Sequence, residues 1–161
     1  MALYLGLMSG TSLDGVDGVL LDFGSPQGPP LSLKAHHHRP YAEALRAELL
    51  ALNAPGDNEL QRVELAANAL ARCYADVVHA VLRASATDPR ELRAIGAHGQ
   101  TVRHRPGEFD GTGFTTQLLN GALLAELTGI DVVCDLRRRD VAAGAGRRPR
   151  RYRSARPAAR H

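Results

Sequence analysis

The chain has 161 residues, no tryptophan, 4% aromatic residues and a formal net charge of +3. This length corresponds to about one domain, whose core must be built mainly from Leu, Val and Ala. The charge is uneven: residues 1–140 hold all 17 acidic side chains against 13 basic ones, whereas residues 141–161 hold seven arginines and no acid. The basic character belongs to the end of the chain, so the remainder does not indicate a nucleic-acid-binding protein.

The sequence also disfavours membrane proteins and disulfide-rich proteins. It contains no run of 18 apolar residues, and it does not open with a charged-then-apolar signal segment. Cys73 and Cys134 lack the CxxC spacing of zinc and redox sites, so we expect two buried thiols in a reducing cytosol. We therefore expect a cytoplasmic protein that makes no membrane contact.

Three strands are predicted at the start of the chain. Apolar runs at residues 2–5 and 18–23 flank a polar turn, and residues 31–36 alternate apolar and polar side chains. Because short turns join these runs, they predict an antiparallel meander. Residues 36–38 are all histidine, but neighbours on a strand point to opposite faces, so at most two could share an ion and a metal site is not favoured.

The turn between the first two strands, residues 10–17, concentrates polar groups. Its glycines permit backbone angles that a side chain forbids, and Thr11 and Ser12 place hydroxyls beside main-chain amides, so the turn could wrap a phosphate. Asp14 and Asp17 become useful once a Mg²⁺ ion lies between carboxylate and phosphate. The alternative is an ordinary hairpin turn, because Gly, Ser, Thr and Asp are common in turns of every kind. The string is neither a Walker A loop nor a GxGxxG motif followed by a helix, so a phosphate site here would be a loop between two strands.

A helical period replaces the strand pattern over residues 42–52 and 58–86. In the longer helix we expect an apolar stripe that begins at Leu60 and packs on the sheet. A Thr-Asp-Pro break follows, and residues 92–97 then form a short apolar strand.

Polar residues 98–107 follow that strand. In open α/β sheets, ligands bind beyond the carboxyl ends of the strands, so we expect His98, Gln100 and Thr101 to contact a ligand. The alternative is a loop with incidental histidines, which we favour for His104.

The last apolar segments are a strand over residues 111–119, a helix over 122–127 that ends at Gly129, and a buried strand over 130–134. Three arginines between two aspartates follow, at residues 135–140. They form either a salt-bridged surface turn or a guanidinium site for an anionic substrate group, and their place at a strand end favours the second reading.

Three strings in this order closely resemble the amino-terminal part of the anhydro-N-acetylmuramic acid kinases: GLMSGTSLDGVD at residues 6–17, HGQTVRHRPG at 98–107 and DLRRRDVAAG at 135–144. That family belongs to the sugar kinase, Hsp70 and actin superfamily. The resemblance implies an α/β fold, a ribonuclease-H-like lobe whose mixed five-stranded sheet joins the three-stranded antiparallel meander to parallel strands and is flanked by helices. It also implies ATP and Mg²⁺ as cofactors and, in the full-length family, a possible homodimer.

The resemblance implies a reaction as well. Water attacks the anomeric carbon of 1,6-anhydro-N-acetylmuramic acid while O6 takes the γ-phosphate of ATP, which gives N-acetylmuramic acid 6-phosphate in peptidoglycan recycling. Asp14 would hold Mg²⁺ through water, and Gln100, Thr101 and Arg137 would contact the sugar. His98, which we expect at the same strand end, completes the predicted substrate-binding set. The residues that would line the nucleotide are Gly10, Thr11, Ser12, Leu13, Asp14, Gly15, Val16 and Asp17.

The sequence departs from the family pattern in two places. Residues 117–121 read Gln-Leu-Leu-Asn-Gly where the family usually has Gln-Ile-Gly-Asp-Pro, so a carboxylate and a proline are replaced beside the substrate. Residues 145–161 form an Arg-rich stretch without apolar periodicity, which we interpret as a frameshifted or disordered tail after a kinase lobe at 1–144. The competing interpretation is a basic tail that binds nucleic acid or an acidic partner.

The family's catalytic aspartate lies in a Gly-Phe-Asp-Thr-Gly-Pro-Gly-Asn segment that does not occur in this sequence. We therefore expect the chain to be a truncated, inactive fragment of the kinase. The alternative is a non-catalytic lobe that binds a nucleotide or a partner.

Overall fold

Seven strands and four α-helices make up the part of the chain that the computed structural model describes, residues 2–24 and 31–144. The strands are β1 (Leu3–Met8), β2 (Gly15–Asp22), β3 (Ser32–Pro40), β4 (Leu92–Ala97), β5 (Gln100–Pro106), β6 (Gly113–Leu118) and β7 (Val132–Val133). The helices are α1 (Glu43–Ala51), α2 (Glu59–Ser85), α3 (Gly121–Thr128) and α4 (Leu136–Ala142). The Arg-rich stretch at 145–161 lies outside the described residues, so its interpretation stays a prediction.

A mixed five-stranded sheet in the order β3-β2-β1-β4-β7 organises the fold. The β1, β2 and β3 strands form the predicted antiparallel meander, and β4 and β7 extend it in parallel with β1. The predicted fold class is therefore confirmed. Strands β5 and β6 form a separate antiparallel hairpin, so most of the polar stretch at 98–107 is a strand rather than a loop.

The core lies between the sheet and α2. Leu3, Leu5 and Leu7 of β1 are buried, as period-two alternation requires when one sheet face is covered. A β-carbon on Gly18 would lie 2.4 Å from a methyl carbon of Val77, which shows how closely α2 approaches β2. Burial of each such Leu or Val contributes about 1.5–3 kcal/mol, so this layer dominates the stability of the fold.

The packed stripe of α2 is shorter than predicted. Leu60 was expected in the core but is 78% exposed. The helix begins at Glu59, after Asn58 in a left-handed conformation, and Leu60 lies in an open groove beside Val102 and Phe114 of the hairpin. The first turn of the helix therefore faces this groove instead of the sheet.

The other face of the sheet carries several exposed apolar side chains, among them Tyr4, Met8, Phe23 and Leu33. Both cysteines are free thiols; Cys73 is buried on α2, where desolvation raises its pKa, and Cys134 is half-buried just after β7. None of the helices in the described ranges is both long and apolar enough to cross a bilayer.

Candidate functional site

Three polar segments singled out in the sequence begin at the same edge of the sheet. Because β1, β4 and β7 are parallel neighbours, the segments that follow Met8, Ala97 and Val133 leave the sheet at their common carboxyl ends. The main chain links the first two, since the His98 amide donates to the Leu7 carbonyl at 3.0 Å. This edge is where ligands bind in open α/β sheets.

The 10–17 turn is closed by one main-chain hydrogen bond, from the Leu13 amide to the Gly10 carbonyl at 3.2 Å. Leu13 adopts a left-handed conformation with φ of 54°, whereas neither Gly10 nor Gly15 has a positive φ. The expected reason for the two glycines was therefore wrong. The Leu13 and Val16 side chains are buried in the core, so only their main chain is available to a ligand.

Gly15 is required by a close approach between strands. A β-carbon there would lie 2.2 Å from the Arg39 carbonyl oxygen and 2.8 Å from the Pro40 α-carbon, both in the main chain at the end of β3. Real β-carbon contacts are essentially never this short, so any other residue would push the two strands apart. The glycine thus fixes the path by which the turn enters β2.

Groups from outside the turn bind three of its main-chain carbonyls, and a further hydrogen bond orients one of these groups. Gln100 Nε2 donates to the Gly10 carbonyl at 3.0 Å, and Arg46 Nε donates to the Leu13 carbonyl at 3.0 Å. The Tyr41 amide donates to the Asp14 carbonyl at 3.3 Å, and the Tyr41 hydroxyl donates to Gln100 Oε1 at 3.1 Å. Burial raises the pKa of Tyr41 to about 12, so this hydroxyl remains a donor at neutral pH.

The residue before the turn is also held from inside. Ser9 is buried, and its hydroxyl forms a 2.7 Å hydrogen bond with the Tyr74 hydroxyl and donates to the Gly99 carbonyl at 3.2 Å. Burial raises the pKa of Tyr74. The segments that follow β1 and β4 are therefore joined to α2 through two buried hydrogen bonds of the Ser9 hydroxyl.

The outer surface of the turn carries the polar side chains. Thr11, Ser12 and Asp14 are exposed, and Ser12 Oγ donates to Asp14 Oδ1 at 2.8 Å. That hydrogen bond, followed by nearby main-chain amides, lowers the pKa of Asp14. An ionised carboxylate beside two hydroxyls suits Mg²⁺, which is held in proteins by one or two carboxylates together with phosphate and water.

No cluster of three His, Cys, Asp or Glu side chains within residues 2–24 and 31–144 is arranged to hold a metal ion. His36 Nε2 and His38 Nδ1 instead lie 3.0 and 3.2 Å from the same oxygen, Oδ1 of Asp17. The hydrogen bond from His36 is the main reason why the pKa of Asp17 is lowered. The predicted alternation of the histidines is thus confirmed, because two of them share a face and meet Asp17.

The predicted sugar-side residues have different surroundings. Gln100 is fully buried, and its amide is bonded to Gly10, Tyr41 and Thr101. His98 is half-buried with Nδ1 2.9 Å from the Gly99 carbonyl oxygen. Thr101 is half-buried too, and its hydroxyl accepts a hydrogen bond from Gln117 at 3.1 Å across the hairpin.

The arginine segment, residues 135–140, is mostly helical rather than a turn. Asp135 has φ of 60° and precedes α4. Arg137 pairs with Asp140 and Arg138 with Asp135, each at 3.4 Å and each in an exposed position. Arg138, not Arg137, lines a polar cleft of about 290 Å³ together with Gln117 and other residues of α2, β6 and α3.

Asn120 explains one departure from the family pattern. Its Oδ1 accepts from the Leu123 amide at 2.9 Å and so caps α3, a role that Asn and Asp fill equally well. A β-carbon on Gly121 would lie 2.8 Å from the sulfur of Cys134, so the small residue at this position fits the neighbouring thiol.

Ser9, Tyr41, Arg46 and Tyr74 were not identified as site residues from the sequence. Tyr74 was assigned to the apolar stripe of α2, whereas Tyr41, just before α1, and Arg46, within α1, belong to no motif. Each contacts residues at least 27 positions away, as in Tyr41 to Asp14. No local pattern could have indicated them.

Comparison with known proteins agrees with the motifs. The family model for anhydro-N-acetylmuramic acid kinase matches residues 2–149. Proteins with that name from Variovorax paradoxus (strain S110) and Albidiferax ferrireducens are 61% and 63% identical over 142 residues, which is 88% of this chain and 37% and 36% of theirs. One from Ralstonia nicotianae is 58% identical over 141 residues, or 88% of this chain and 36% of its own.

The chain therefore spans little more than a third of the length of these curated relatives. The family model nevertheless covers most of the 161 residues, including all three polar segments at the sheet edge. The chain belongs to the anhydro-N-acetylmuramic acid kinase family.

Proposed function

We propose that this chain forms the nucleotide-phosphate-binding lobe of an ATP-dependent sugar kinase. The observation that carries the proposal is the 10–17 turn, which lies at the ligand-binding edge of the sheet and has its carbonyls bonded inward and its hydroxyls exposed. Residues 1–144 would be this lobe, and we propose a cytoplasmic location, which the two free thiols Cys73 and Cys134 support.

The orientation of the main chain in the 10–17 turn favours binding of an anion. Gln100 and Leu13 both donate to the Gly10 carbonyl and hold it toward the protein. In a planar trans peptide the next N–H points the opposite way, so the Thr11 amide faces outward beside the Thr11 and Ser12 hydroxyls. Outward amides and hydroxyls are the donors that a phosphate group accepts from.

Mg²⁺ would be held at Asp14 through water, and it would neutralise the charge of the phosphates that the turn binds. The Ser12 hydroxyl, which donates to Asp14 Oδ1, would keep that carboxylate ionised and oriented. Asp17 would remain paired with His36 and His38, at the side of the turn nearest β3.

The substrate that we propose for the complete enzyme is 1,6-anhydro-N-acetylmuramic acid. Its ring would be opened by water at the anomeric carbon as O6 receives the γ-phosphate. His98, Thr101 and Arg137 would supply contacts on the sugar side, while Gly10 to Asp17 bind the nucleotide. Such a reaction needs a base that activates water, and the family's aspartate segment is not in this sequence. We therefore propose that the 161-residue chain binds nucleotide with little or no turnover. Separately, we propose that full-length members of the family act as homodimers.

A titration with a fluorescent ATP analogue and a coupled kinase assay test this proposal. The chain is expected to bind the analogue in the presence of Mg²⁺, and Asp14→Asn should weaken binding about tenfold and reduce its dependence on Mg²⁺. Glu126→Gln, which removes an exposed carboxylate from α3, is the matched control and should bind like the unchanged chain.

Absence of binding at millimolar nucleotide would overturn the proposed phosphate site. Turnover of the anhydro sugar by the 161-residue chain would show that the missing aspartate is replaced or dispensable. Binding without turnover would agree with either the kinase lobe or a non-catalytic nucleotide-binding lobe, and activity on addition of the remaining part of a close relative would distinguish these two.

A further inference from the structure

We propose that Gln100 is a positioning residue for the 10–17 turn, through which the hairpin formed by β5 and β6 controls the shape of the nucleotide-phosphate site. This inference rests on the proposed function. It assigns Gln100 a role in nucleotide affinity although its side chain is fully buried and out of reach of a ligand.

The hydrogen bonds of Gln100 fix the orientation of its amide. The two partners of Nε2 are carbonyl oxygens, of Gly10 at 3.0 Å and of Thr101 at 3.3 Å, so this atom must be the donor nitrogen. Oε1 accepts from the Tyr41 hydroxyl at 3.1 Å. Both N–H groups are therefore used within the protein, and the amide is not available to a sugar.

Gln100 joins two segments that lie far apart in the chain. It is the first residue of β5, and the Gly10 carbonyl that it binds lies 90 positions earlier. The adjacent residue Thr101 is one of the proposed sugar contacts and accepts a hydrogen bond from Gln117 of β6. A shift of the hairpin would therefore move the Gly10 carbonyl directly.

The Gly10 carbonyl controls whether the turn accepts an anion. A carbonyl oxygen that rotated outward would repel phosphate and turn the Thr11 amide inward, because the two groups of one peptide plane point in opposite directions. The closing bond of the turn, from the Leu13 amide, ends on the same oxygen. Loss of the Gln100 amide should therefore loosen the turn and weaken nucleotide binding together.

The test compares Gln100→Met with Tyr41→Phe. The first removes the donor to Gly10, whereas the second removes only the hydroxyl that donates to Gln100 and leaves the bond to Gly10 in place. The double variant Gln100→Met/Tyr41→Phe has no unpaired Tyr41 hydroxyl, so it is the folded alternative if the single variant is unstable. Two readouts are used: hydrogen exchange of the Leu13 amide and the affinity for a fluorescent ATP analogue with Mg²⁺.

We expect Leu13 exchange to become about tenfold faster, and nucleotide affinity to fall about tenfold, in Gln100→Met and in the double variant. Both quantities should change less than about threefold in Tyr41→Phe. Equal effects in Gln100→Met and Tyr41→Phe would overturn the inference, since both variants would then act through general stability. If the unchanged chain bound no nucleotide, the proposed function would fail, and Leu13 exchange alone would still decide whether Gln100 holds the turn.

Discussion

The 10–17 turn and the arginine segment begin at the same edge of the sheet, but the protein holds them very differently. Side chains from β5 and from α1 bind the main chain of the turn, and its entry into β2 is packed against β3. Among residues 2–24 and 31–144, Arg137 and Arg138 form ion pairs with aspartates three positions away in their own segment. The main chain of the first region is held by side chains from elsewhere in the fold before any ligand arrives, whereas the ion pairs of these two arginines lie within their own segment.

This difference assigns separate roles to the two regions. A preorganised turn loses little conformational freedom when it binds phosphate, so its shape contributes directly to affinity. Exposed arginines on a short helix remain free to reorient toward an anionic group and contribute little to folding. Substitutions in the turn should therefore affect stability without a ligand, and substitutions in the arginine segment should not.

The largest loss in the free energy of unfolding is expected for Gly15→Ala. The new methyl group would meet main-chain atoms of Arg39 and Pro40, which cannot move without separating β2 from β3, so we expect a loss of about 3 kcal/mol in the free energy of unfolding. Urea denaturation measures this loss. Gly96→Ala in β4, another strand of the same sheet, is the matched control, because a β-carbon there meets nothing within 4 Å, and it should be neutral or slightly stabilising. Similar losses in both variants would contradict the close-approach explanation.

An intermediate loss in the free energy of unfolding is expected when Asn120, which lies between the hairpin and α3, is replaced by alanine. Asn120→Ala removes the cap of α3 and the 2.7 Å hydrogen bond to Asn68, and should cost about 1 kcal/mol. Asn120→Asp retains the cap, and the Asn68 amide can rotate to donate to the new carboxylate, so its loss should stay below about 0.5 kcal/mol. Thermal melts of the two variants rank them, and the explanation fails if aspartate is as harmful as alanine.

Arg137→Ala should change the free energy of unfolding by less than about 0.5 kcal/mol, because exposed ion pairs contribute little. The same denaturation experiment checks this expectation. A loss above about 1 kcal/mol would show that the arginine segment supports the fold, and the contrast with the 10–17 turn would disappear.

The smallest effect concerns the pH dependence of Asp17. The pKa of Asp17 is lowered chiefly by the hydrogen bond with His36. Ionised Asp17 therefore stabilises the fold at pH values above its unfolded pKa, near 3.9. This stabilisation is lost as the pH falls through the lower pKa of Asp17 in the folded protein. Because Asp17 is half exposed, the contribution is a few tenths of a kcal/mol. The stability difference between the unchanged chain and Asp17→Asn should shrink from pH 5 to pH 3. A difference that grows in that interval would contradict the assigned cause.

The strands and helices with strong apolar periodicity were predicted well. The β4 strand occupies the predicted residues, and the antiparallel meander and α2 follow from alternation and helical spacing. The β5 strand was missed because its polar and charged side chains alternate without a clear apolar face, and α4 because residues 137–140 carry no apolar side chain. Both are short elements whose conformation depends on pairing and packing with neighbours.

The site was predicted at the level of segments but not of contacts. From the sequence, residues 98–107 and 135–140 were each placed at the end of a strand; in the structure these strand ends lie, together with the end of β1, at one edge of the sheet. The partners of the turn could not be predicted, since Gln100 and Arg46 reach it from 90 and 33 positions away. A single sequence carries no signal for such pairs. Gln100 was therefore predicted as a ligand contact, whereas its side chain is fully buried and binds the Gly10 carbonyl.

The claim that the preorganised 10–17 turn binds nucleotide phosphate is tested most directly by nuclear magnetic resonance. The ¹⁵N-labelled chain is titrated with Mg²⁺ and a non-hydrolysable ATP analogue. The largest shifts are expected for the amides of Thr11 and Ser12, whose side chains are exposed, while the amide of Leu13 stays protected because its hydrogen bond to Gly10 persists. Shifts spread over the whole chain, or no shift at these two amides at millimolar nucleotide, would contradict the account.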